Sequence, residues 1–306
     1  MKCMQYPLIS EYVQAIRESQ DNLDVLSYLE PMYDNNGEPL HSSGAFAVVF
    51  KMKDINTGKY YALKCFTEDQ KGRRDSYEKI TEELENLESP YIIKVNYYDK
   101  ELFVNSSCTS EKEFPVLLMD WVEGMTMETY ISSNYQNEGL MKWLTYRFCK
   151  MASWLHTQSF AHGDIKPDNI MVKPDGTLVL IDYDGMYVPS MKGTKSPTLG
   201  SKDFSHPLRT TSDFNEAIDD FSLASMSLSL KLISIDKDLY NKYATSDGML
   251  LRKIDYLNLQ NSKITHVIHE YLTDKELCKL YGNFLLAYAQ KDLSLHSFRN
   301  FLIQRP

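Results

Sequence analysis

Two acidic loop segments, one on each side of a predicted strand hairpin, constrain this chain more than any other feature of its sequence. The first segment reads AHGDIKPDNI over residues 161–170, and the second reads LIDYDG over residues 180–185. Apolar runs at residues 170–172 and 177–181, separated by the turn signal Pro174-Asp175-Gly176, predict the hairpin. This arrangement places an acid, a base and an amide on one loop, and a second acid at the end of a strand.

These residue types match the requirements of phosphoryl transfer. A substrate hydroxyl needs a carboxylate that accepts its proton, and a bound triphosphate needs Mg²⁺, which takes carboxylate and amide oxygens as ligands. Fixed cations must offset the charge that develops during the transfer. Asp164, Lys166, Asn169 and Asp182 provide such groups. The alternative is that the acids only form turns and cap a strand end.

The two segments resemble those of the eukaryotic-type Ser/Thr protein kinases, and the chain resembles a divergent, bacterial-type member of that family. HGDIKPDN is similar to the HRDLKPxN catalytic loop, and IDYDG is similar to the DFG segment. The resemblance implies that Asp164 accepts the substrate proton and that Lys166 faces the phosphates. It also implies that Asn169 and Asp182 bind Mg²⁺.

Upstream segments extend this resemblance to ATP binding. YALK at residues 61–64 resembles the VAIK strand, which implies that Lys64 contacts the α- and β-phosphates. SSGAFAVV at residues 42–49 is similar to the glycine-rich loop with one glycine retained, and MDWV at residues 119–122 resembles the hinge that binds adenine. With the glutamate discussed next, the implied ATP contacts are Gly44, Val49, Ala62, Lys64, Glu83, Met119, Asp120 and Val122.

A helix predicted over residues 75–88 is expected to supply a glutamate that pairs with Lys64. Glu78 and Glu82 point roughly away from the apolar face of this helix, whereas Glu83 flanks that face and is the candidate. The apolar face consists of Tyr77, Ile80, Leu84 and Leu87.

The order of the predicted elements indicates an α+β, bilobal protein kinase-like fold. The sequence predicts an N-terminal extension over residues 1–38 that packs on the small lobe. It then predicts a small antiparallel-sheet N-lobe over residues 39–122 and a larger helical C-lobe over residues 123–306.

The chain departs from the kinase pattern at several positions. Gly163 replaces an arginine that normally holds a phosphorylated activation loop, which implies activity without loop phosphorylation or another form of control. Asp184 stands in place of the DFG glycine as a metal ligand, a contact to substrate charge or a turn residue. The APE position reads Ser205-His206-Pro207 and lacks the glutamate. Asp219 begins a DxWSxG-like stretch and is expected to hold the catalytic loop through backbone amides.

The charge and composition of the chain indicate which partners and which location to expect. A net charge of −9 disfavours a nucleic-acid partner, since such binding depends on clustered Lys and Arg. The five cysteines are scattered, the N-terminus lacks a signal-peptide pattern, and no apolar run reaches the roughly 20 residues of a membrane helix. The sequence therefore predicts a cytoplasmic protein without a membrane partner, whose ligands are ATP, Mg²⁺ and a protein substrate that can be the chain itself.

Three functions remain open from the sequence. The first is an ATP-dependent protein kinase that transfers the γ-phosphoryl group of Mg·ATP to Ser/Thr hydroxyls. The second is a pseudokinase scaffold, favoured by the depleted glycine loop but opposed by the retention of Lys64, Asp164, Asn169 and Asp182. The third is a small-molecule kinase, which the HGD sequence allows and the Lys-Pro pair at residues 166–167 opposes.

Overall fold

The computed structural model describes residues 5–44, 46–291 and 301–306, and its chain divides into two compact units. The N-terminal unit comprises the chain up to Leu87 together with Ile93–Val122. The C-terminal unit comprises Glu88–Ile92 and Glu123–Pro306. An antiparallel sheet dominates the first unit and helices dominate the second, which confirms the predicted α+β class.

The N-terminal unit is built on a six-stranded sheet with the order β1-β3-β4-β6-β5, in which β2 pairs with β3. All of its strand pairs are antiparallel. The strands are β1 (Leu29–Pro31), β2 (His41–Ser43), β3 (Ala47–Asp54), β4 (Tyr60–Phe66), β5 (Val95–Phe103) and β6 (Glu113–Asp120). The helices are α1 (Ile9–Arg17), α2 (Ser19–Asn22) and α3 (Arg73–Leu84).

Local sequence explains the central hairpin of this sheet. Asp54 ends β3 and accepts hydrogen bonds from the N–H groups of Asn56 and Thr57 through Oδ1, which shapes the turn. Gly58 completes the turn with a φ of 73°. Residues 61–64, which resemble a strand motif in the sequence, lie within β4.

In this unit one predicted boundary is wrong, and one strand was missed from the sequence. The helix predicted to reach residue 88 ends at Leu84, four residues early, since Pro90 follows and proline disfavours helical backbone just before it. Leu87 therefore does not belong to α3. Strand β5 was not predicted, because its sequence is rich in polar residues and its pairing shifts between Tyr98 and Leu102.

Helix α1 belongs to the core of the N-terminal unit. Tyr12, Ala15 and Ile16 are buried together with Phe50 and Phe114 of the sheet. Their spacing of three and four residues presents these side chains on one face of the helix.

The C-terminal unit is organised around α6, which is buried along almost its whole length and packs against α5 and α10. A small three-stranded sheet has the order β7-β8-β9. Its strands are β7 (Met125–Thr126), β8 (Ile170–Val172) and β9 (Leu178–Leu180). The helices are α4 (Met127–Asn134), α5 (Glu138–Leu155), α6 (Asp220–Ile235), α7 (Asp238–Tyr243), α8 (Lys253–Leu257), α9 (Lys263–Glu270) and α10 (Lys275–Gln290). Within the described part of the chain, no helix combines the length and apolar character needed to cross a bilayer.

A carboxylate at the start of α1 ties this helix to the loop between β5 and β6. Oε2 of Glu11 accepts hydrogen bonds from the Leu8 N–H at 3.0 Å and from Ser106 Oγ at 2.8 Å. Oε1 accepts from the Ser107 N–H at 2.7 Å and from Ser107 Oγ at 2.6 Å. The hydrogen bonds from Ser107, above all, lower the pKa of Glu11 to about 2.

We expect the Glu11 carboxylate to make folding stability depend on pH. Because its pKa is lower in the folded chain, its stabilisation is present above the unfolded pKa of about 4.5 and is lost as pH falls toward 2. Glu11→Gln should therefore lower the free energy of unfolding by about 1 kcal/mol or less at pH 7, since solvent screens this surface site, and by less at pH 3. Urea unfolding at both pH values measures the difference. The exposed Glu111→Gln is the control, and an equal effect of both substitutions would contradict this role.

Candidate active site

The acidic loop (residues 161–169) connects α5 to β8 in the C-terminal unit. Its start is paired with the chain that follows the strand-end segment (residues 180–185). Ala161 and Tyr187 exchange backbone hydrogen bonds of 3.0 and 2.8 Å. Pro167–Asn169 forms one turn of 3₁₀ helix just before β8. Both segments predicted to carry chemistry are thus held side by side by backbone pairing.

The buried carboxylate of Asp219, at the start of α6, holds the acidic loop. Its Oδ2 accepts the N–H of His162 at 2.5 Å, and its Oδ1 accepts the N–H of Gly163 at 2.8 Å. Burial raises the pKa of Asp219, while these two N–H groups and the nearby Arg209 charge favour the ionised form. The predicted contact with backbone amides is confirmed.

His162 joins the acidic loop to the strand-end segment. The ring is fully buried, and its Nε2 lies 2.8 Å from the carbonyl oxygen of Ile181. Nδ1 accepts the N–H of Asp164 at 3.3 Å, so Nε2 carries the hydrogen that is donated to Ile181. The Tyr183 ring packs edge-on at 5.7 Å between centroids. His162 is therefore a packed, hydrogen-bonded anchor of the acidic loop.

Gly163 lies where the two segments touch through their backbones. Its φ is 84°, and a Cβ added there would lie 1.9 Å from the carbonyl oxygen of Gly185. No side chain fits this backbone without displacing Gly185. The arginine that the kinase pattern places here is therefore sterically incompatible with this close approach.

The Asp164 carboxylate is oriented by three groups. Its Oδ1 accepts the N–H of Ser201 at 2.8 Å, and its Oδ2 accepts from Asn169 Nδ2 at 3.2 Å. The Nζ atom of Lys166 lies 3.9 Å from Oδ2. The side chain of Asp164 keeps 20% of its surface exposed. An acid that is fixed in direction and still open to solvent is suited to accepting a proton.

The predicted metal ligands Asn169 and Asp182 belong to two segments that a backbone hydrogen bond holds together. The N–H of Ile181 donates to the carbonyl oxygen of Asn169 at 3.0 Å, which places the start of the strand-end segment beside the end of the acidic loop. Asn169 Nδ2 also donates to the carbonyl oxygen of Asp164 at 2.9 Å. Because Asn169 contacts Asp164 through Nδ2, its Oδ1 atom is not used in these bonds. Asp182 has a φ of 66°, a left-handed conformation that is uncommon outside glycine.

These two residues fit a bound Mg²⁺ ion. Magnesium is held in proteins by one or two side-chain oxygens, with substrate phosphates and water completing the shell. Asn169 and Asp182 offer one amide oxygen and one carboxylate. Within the described residues, no three His, Cys, Asp or Glu side chains converge on a metal site. A set of one amide oxygen and one carboxylate suits a metal ion whose other ligands are phosphate oxygens and water.

A second acidic pair lies beside the same loop. A hydrogen bond with Asp168, together with partial burial, raises the pKa of Glu128 to about 7. The charges of Asp168 and Asp247 act in the same direction, and that of Lys166 opposes them. Glu128 was not singled out from the sequence, because its proximity to Asp168 depends on how α4 packs.

Arg209 was also missed from the sequence, and it contacts the acidic loop directly. Its Nη1 donates to the carbonyl oxygen of Gly163 at 3.0 Å, and its Nη2 donates to Ser196 Oγ at 3.4 Å. Burial lowers its pKa, whereas the charges of Asp219 and Asp164 oppose that shift. A guanidinium from downstream in the chain thus links the acidic loop to the segment that contains Ser196.

In the N-terminal unit, sheet register brings several predicted nucleotide contacts onto one face. Lys64 on β4 is the cross-strand partner of Val49 on β3, and Ala62 is the partner of Met119 on β6. Side chains two residues apart on a strand, and directly opposite across a pair, share a face. Val49, Ala62, Lys64 and Met119 therefore lie on the same side of the sheet. Lys64 is buried, with 5% of its surface exposed.

The remaining predicted contacts flank this sheet. Gly44 donates its N–H to the carbonyl oxygen of Ala47 at 2.8 Å in the turn after β2, and Ala45 lies outside the described residues. Asp120 ends β6 and pairs through Oδ1 with Lys59 Nζ at 2.7 Å. Val122 is the last residue of the N-terminal unit.

Of the three glutamates considered on α3, Glu83 differs in its environment. Glu78 is exposed and pairs with Arg74 at 2.8 Å, and Glu82 is also exposed. Glu83 is half-buried in the last turn of the helix. Its pairing with Lys64 stays a prediction.

Replacing Gly163 by alanine should destabilise the chain more than the same change at Gly193. Both glycines have φ values near 85°, so both substitutions carry the left-handed cost of about 1–2 kcal/mol. The Cβ added in Gly163→Ala would clash with the Gly185 carbonyl, whereas no atom lies within 4 Å of a Cβ added at Gly193. We expect an additional loss of about 1–3 kcal/mol, measured as the difference in denaturant unfolding between the variants. Equal losses would show that the close approach is not required.

The sequence of this chain matches a known protein family. The model of the protein kinase domain matches residues 42–288. Among curated proteins, an Aurora kinase of Eremothecium gossypii is 24% identical over 234 residues, which cover 75% of this chain and 61% of that protein. The serine/threonine-protein kinase cds1 of Schizosaccharomyces pombe is 28% identical over 152 residues, covering 46% of this chain and 30% of that protein.

A third relative is the cyclin-dependent kinase 4 of Xenopus laevis, 28% identical over 149 residues that cover 46% of this chain and 44% of that protein. The chain thus spans less than two thirds of the length of each of these relatives. The family match covers most of this chain and includes the acidic loop, the strand-end segment and Asp219. The chain belongs to the protein kinase domain family.

Proposed function

We propose that the chain is an ATP-dependent protein kinase that transfers the γ-phosphoryl group of Mg·ATP to a Ser/Thr hydroxyl. The observation that carries the proposal is the fixed Asp164 carboxylate, which accepts from the Ser201 N–H and Asn169 Nδ2 and lies beside Lys166. The backbone hydrogen bond between Ile181 and Asn169 brings the segment that contains Asp182 next to the acidic loop.

Each residue of this group has one task in the proposed reaction. Asp164 accepts the proton of the attacking hydroxyl, and its three partners keep the carboxylate aimed at the acceptor. Lys166 provides a positive charge near the transferred group. Asn169 and Asp182 would hold Mg²⁺, which when bound neutralises phosphate charge and orients the phosphates.

The N-terminal unit supplies the proposed nucleotide contacts. The face that carries Val49, Ala62, Lys64 and Met119 combines apolar side chains with one buried ammonium. Such a surface suits a planar apolar base next to an anionic phosphate chain. Glu83 would pair with Lys64, and backbone groups of Asp120 and Val122, with Gly44 in the turn, would complete the set.

The proposed acceptor class follows from one sequence motif and from the names of matched relatives. Lys166-Pro167 follows the protein-kinase pattern, and the matched relative cds1 is named a serine/threonine-protein kinase. A protein hydroxyl is therefore the proposed acceptor, including hydroxyls of this chain, and a cytoplasmic location is proposed with it. A small metabolite as acceptor, or nucleotide binding without transfer, remains the alternative outcome of the next experiment.

Removing either acid should abolish labelling of protein by γ-labelled ATP. The purified chain is incubated with Mg²⁺ and the label, alone and with generic protein acceptors, beside Asp164→Asn and Asp182→Asn. Loss of the proton acceptor should cost roughly 10²–10⁴ in rate. The exposed turn residue Asp175, changed to Asn, serves as control and should keep full activity. ATP binding without any transfer by the wild type would instead indicate a scaffold, and transfer only to a metabolite would indicate a small-molecule kinase.

Arg209→Met should impair transfer to a protein acceptor without weakening nucleotide binding. Arg209 links Gly163 to Ser196, and Ser201, five residues after Ser196, donates its N–H to Asp164. The variant should therefore free the segment that contains Ser196 and Ser201 from the acidic loop. The variant loses both hydrogen bonds of the guanidinium. Because even one hydrogen bond to a charged group contributes about 1.5 kcal/mol or more, we expect at least a tenfold lower kcat/KM for the acceptor at unchanged Kd for Mg·ATP.

The exposed Arg252→Met is the matched control. Phosphatase-treated wild type should keep its activity, because the guanidinium already contacts an unmodified serine hydroxyl. Activity that requires a phosphorylated segment would contradict this assignment.

A further inference from the structure

Phe66, the last residue of β4, contacts side chains of both β4 and α3 in the N-terminal unit. Its ring is fully buried two residues after Lys64, whose Nζ lies 5.7 Å from the ring centroid. Two residues of α3 contact the same ring. Arg73 Cζ lies 3.9 Å from the centroid, and the Tyr77 ring packs at 6.4 Å. Phe66 therefore connects the strand that carries Lys64 to the helix that carries Glu83.

The N-terminal segment (residues 5–17) anchors the backbone at this point. Tyr12 on α1 is fully buried, and its hydroxyl donates to the carbonyl oxygen of Phe66 at 2.7 Å. Burial raises the pKa of Tyr12, so the hydroxyl keeps the hydrogen that it donates. The Tyr12 ring packs edge-on against Phe114 at 6.3 Å. Both ends of this side chain are thus fixed.

The same segment also reaches the first residue of α3. Arg73 Nη1 donates to the hydroxyl of Tyr6 at 3.4 Å, and Nη2 donates to the carbonyl oxygen of Glu68 at 2.9 Å. Arg73 has only 6% of its surface exposed. A buried guanidinium is costly unless it is hydrogen-bonded or stacked on an aromatic ring, and here both occur. These contacts restrict where α3 can begin.

We propose that Tyr6, Tyr12 and Arg73 are positioning residues that set the placement of α3 against β4, and with it the distance between Glu83 and Lys64. This inference rests on the proposed function. Glu83 follows Arg73 by ten positions along the helix, a rise of about 15 Å. A tilt of about 10° at the start of the helix would move Glu83 by roughly 3 Å, which is enough to break an ion pair.

The middle of α3 has separate supports. Thr81 Oγ1 donates to the carbonyl oxygen of Val95 at 3.1 Å, and the Tyr77 ring stacks on Tyr97 at 6.1 Å. These contacts hold the middle of the helix against β5, and Arg74 pairs with Asp99 of β5 at 3.0 Å. The contacts with Phe66 of β4 come from Arg73 and the Tyr77 ring. Completion of the nucleotide site thus depends on a segment of the same chain that lies before the matched kinase domain.

The first test measures Mg·ATP affinity of the full chain by calorimetry. Tyr12→Phe removes one hydrogen bond and leaves the ring in place, so we expect about a fivefold higher Kd. Arg73→Lys keeps the charge but loses the forked contacts, and it should raise the Kd at least as much. Tyr33→Phe, at a tyrosine of the same unit with 48% exposure, is the control and should leave the Kd unchanged.

A double-mutant cycle separates positioning from a loss of stability. If Tyr12 acts by placing Glu83, the effect of Tyr12→Phe on the Kd should disappear in a Glu83→Gln background. An effect of the same size in both backgrounds would overturn the inference, as would an unchanged Kd in Tyr12→Phe. A wild-type chain that fails to bind Mg·ATP would overturn the proposed function and this inference together. Normal binding by the wild type and Tyr12→Phe alike would overturn the inference alone.

Discussion

The arrangement of the acidic loop depends on the buried carboxylate of Asp219. Removing a carboxylate from water is costly, and two consecutive loop N–H groups offset that cost by occupying one oxygen each. Once His162 and Gly163 are fixed in this way, the imidazole reaches the carbonyl of Ile181 and the glycine meets Gly185. Asp164 follows next in the chain and turns toward Asn169 and Ser201. The proposed proton acceptor is thus placed by a residue far along the chain.

Each unit contains a partly or wholly buried arginine that ties a functional segment to its surroundings. Arg209 binds the acidic loop to the segment around Ser196, and Arg73 binds the start of α3 to Tyr6. In the described part of the chain, the Nε atoms of both arginines lack a hydrogen-bond partner. The paired Nη atoms and the stacking on Phe66 must therefore compensate for burial. Neither arginine lies in a motif that the sequence singles out.

Local sequence predicted the parts of the fold and site that local chemistry determines. The hairpin of β8 and β9 has a strong turn signal between two apolar runs, and the role of Asp219 followed from a recognisable stretch at the start of α6. Strand β5 escaped prediction because tertiary pairing, rather than apolar alternation, makes it a strand. The contacts of Arg209 and Tyr12 depend on which distant segments pack together, and single-sequence patterns carry no such information.

The position of α1 in the chain has a consequence for how the N-terminal unit forms. This helix leaves the ribosome before any of its partners, since Tyr12 bonds to Phe66, 54 residues later, and Glu11 bonds to Ser107, 96 residues later. A nine-residue helix is marginal in water by itself. It therefore gains its stability only after β6 has been synthesised and can close the long loops. Early folding of this unit is controlled by non-local contacts, which form slowly.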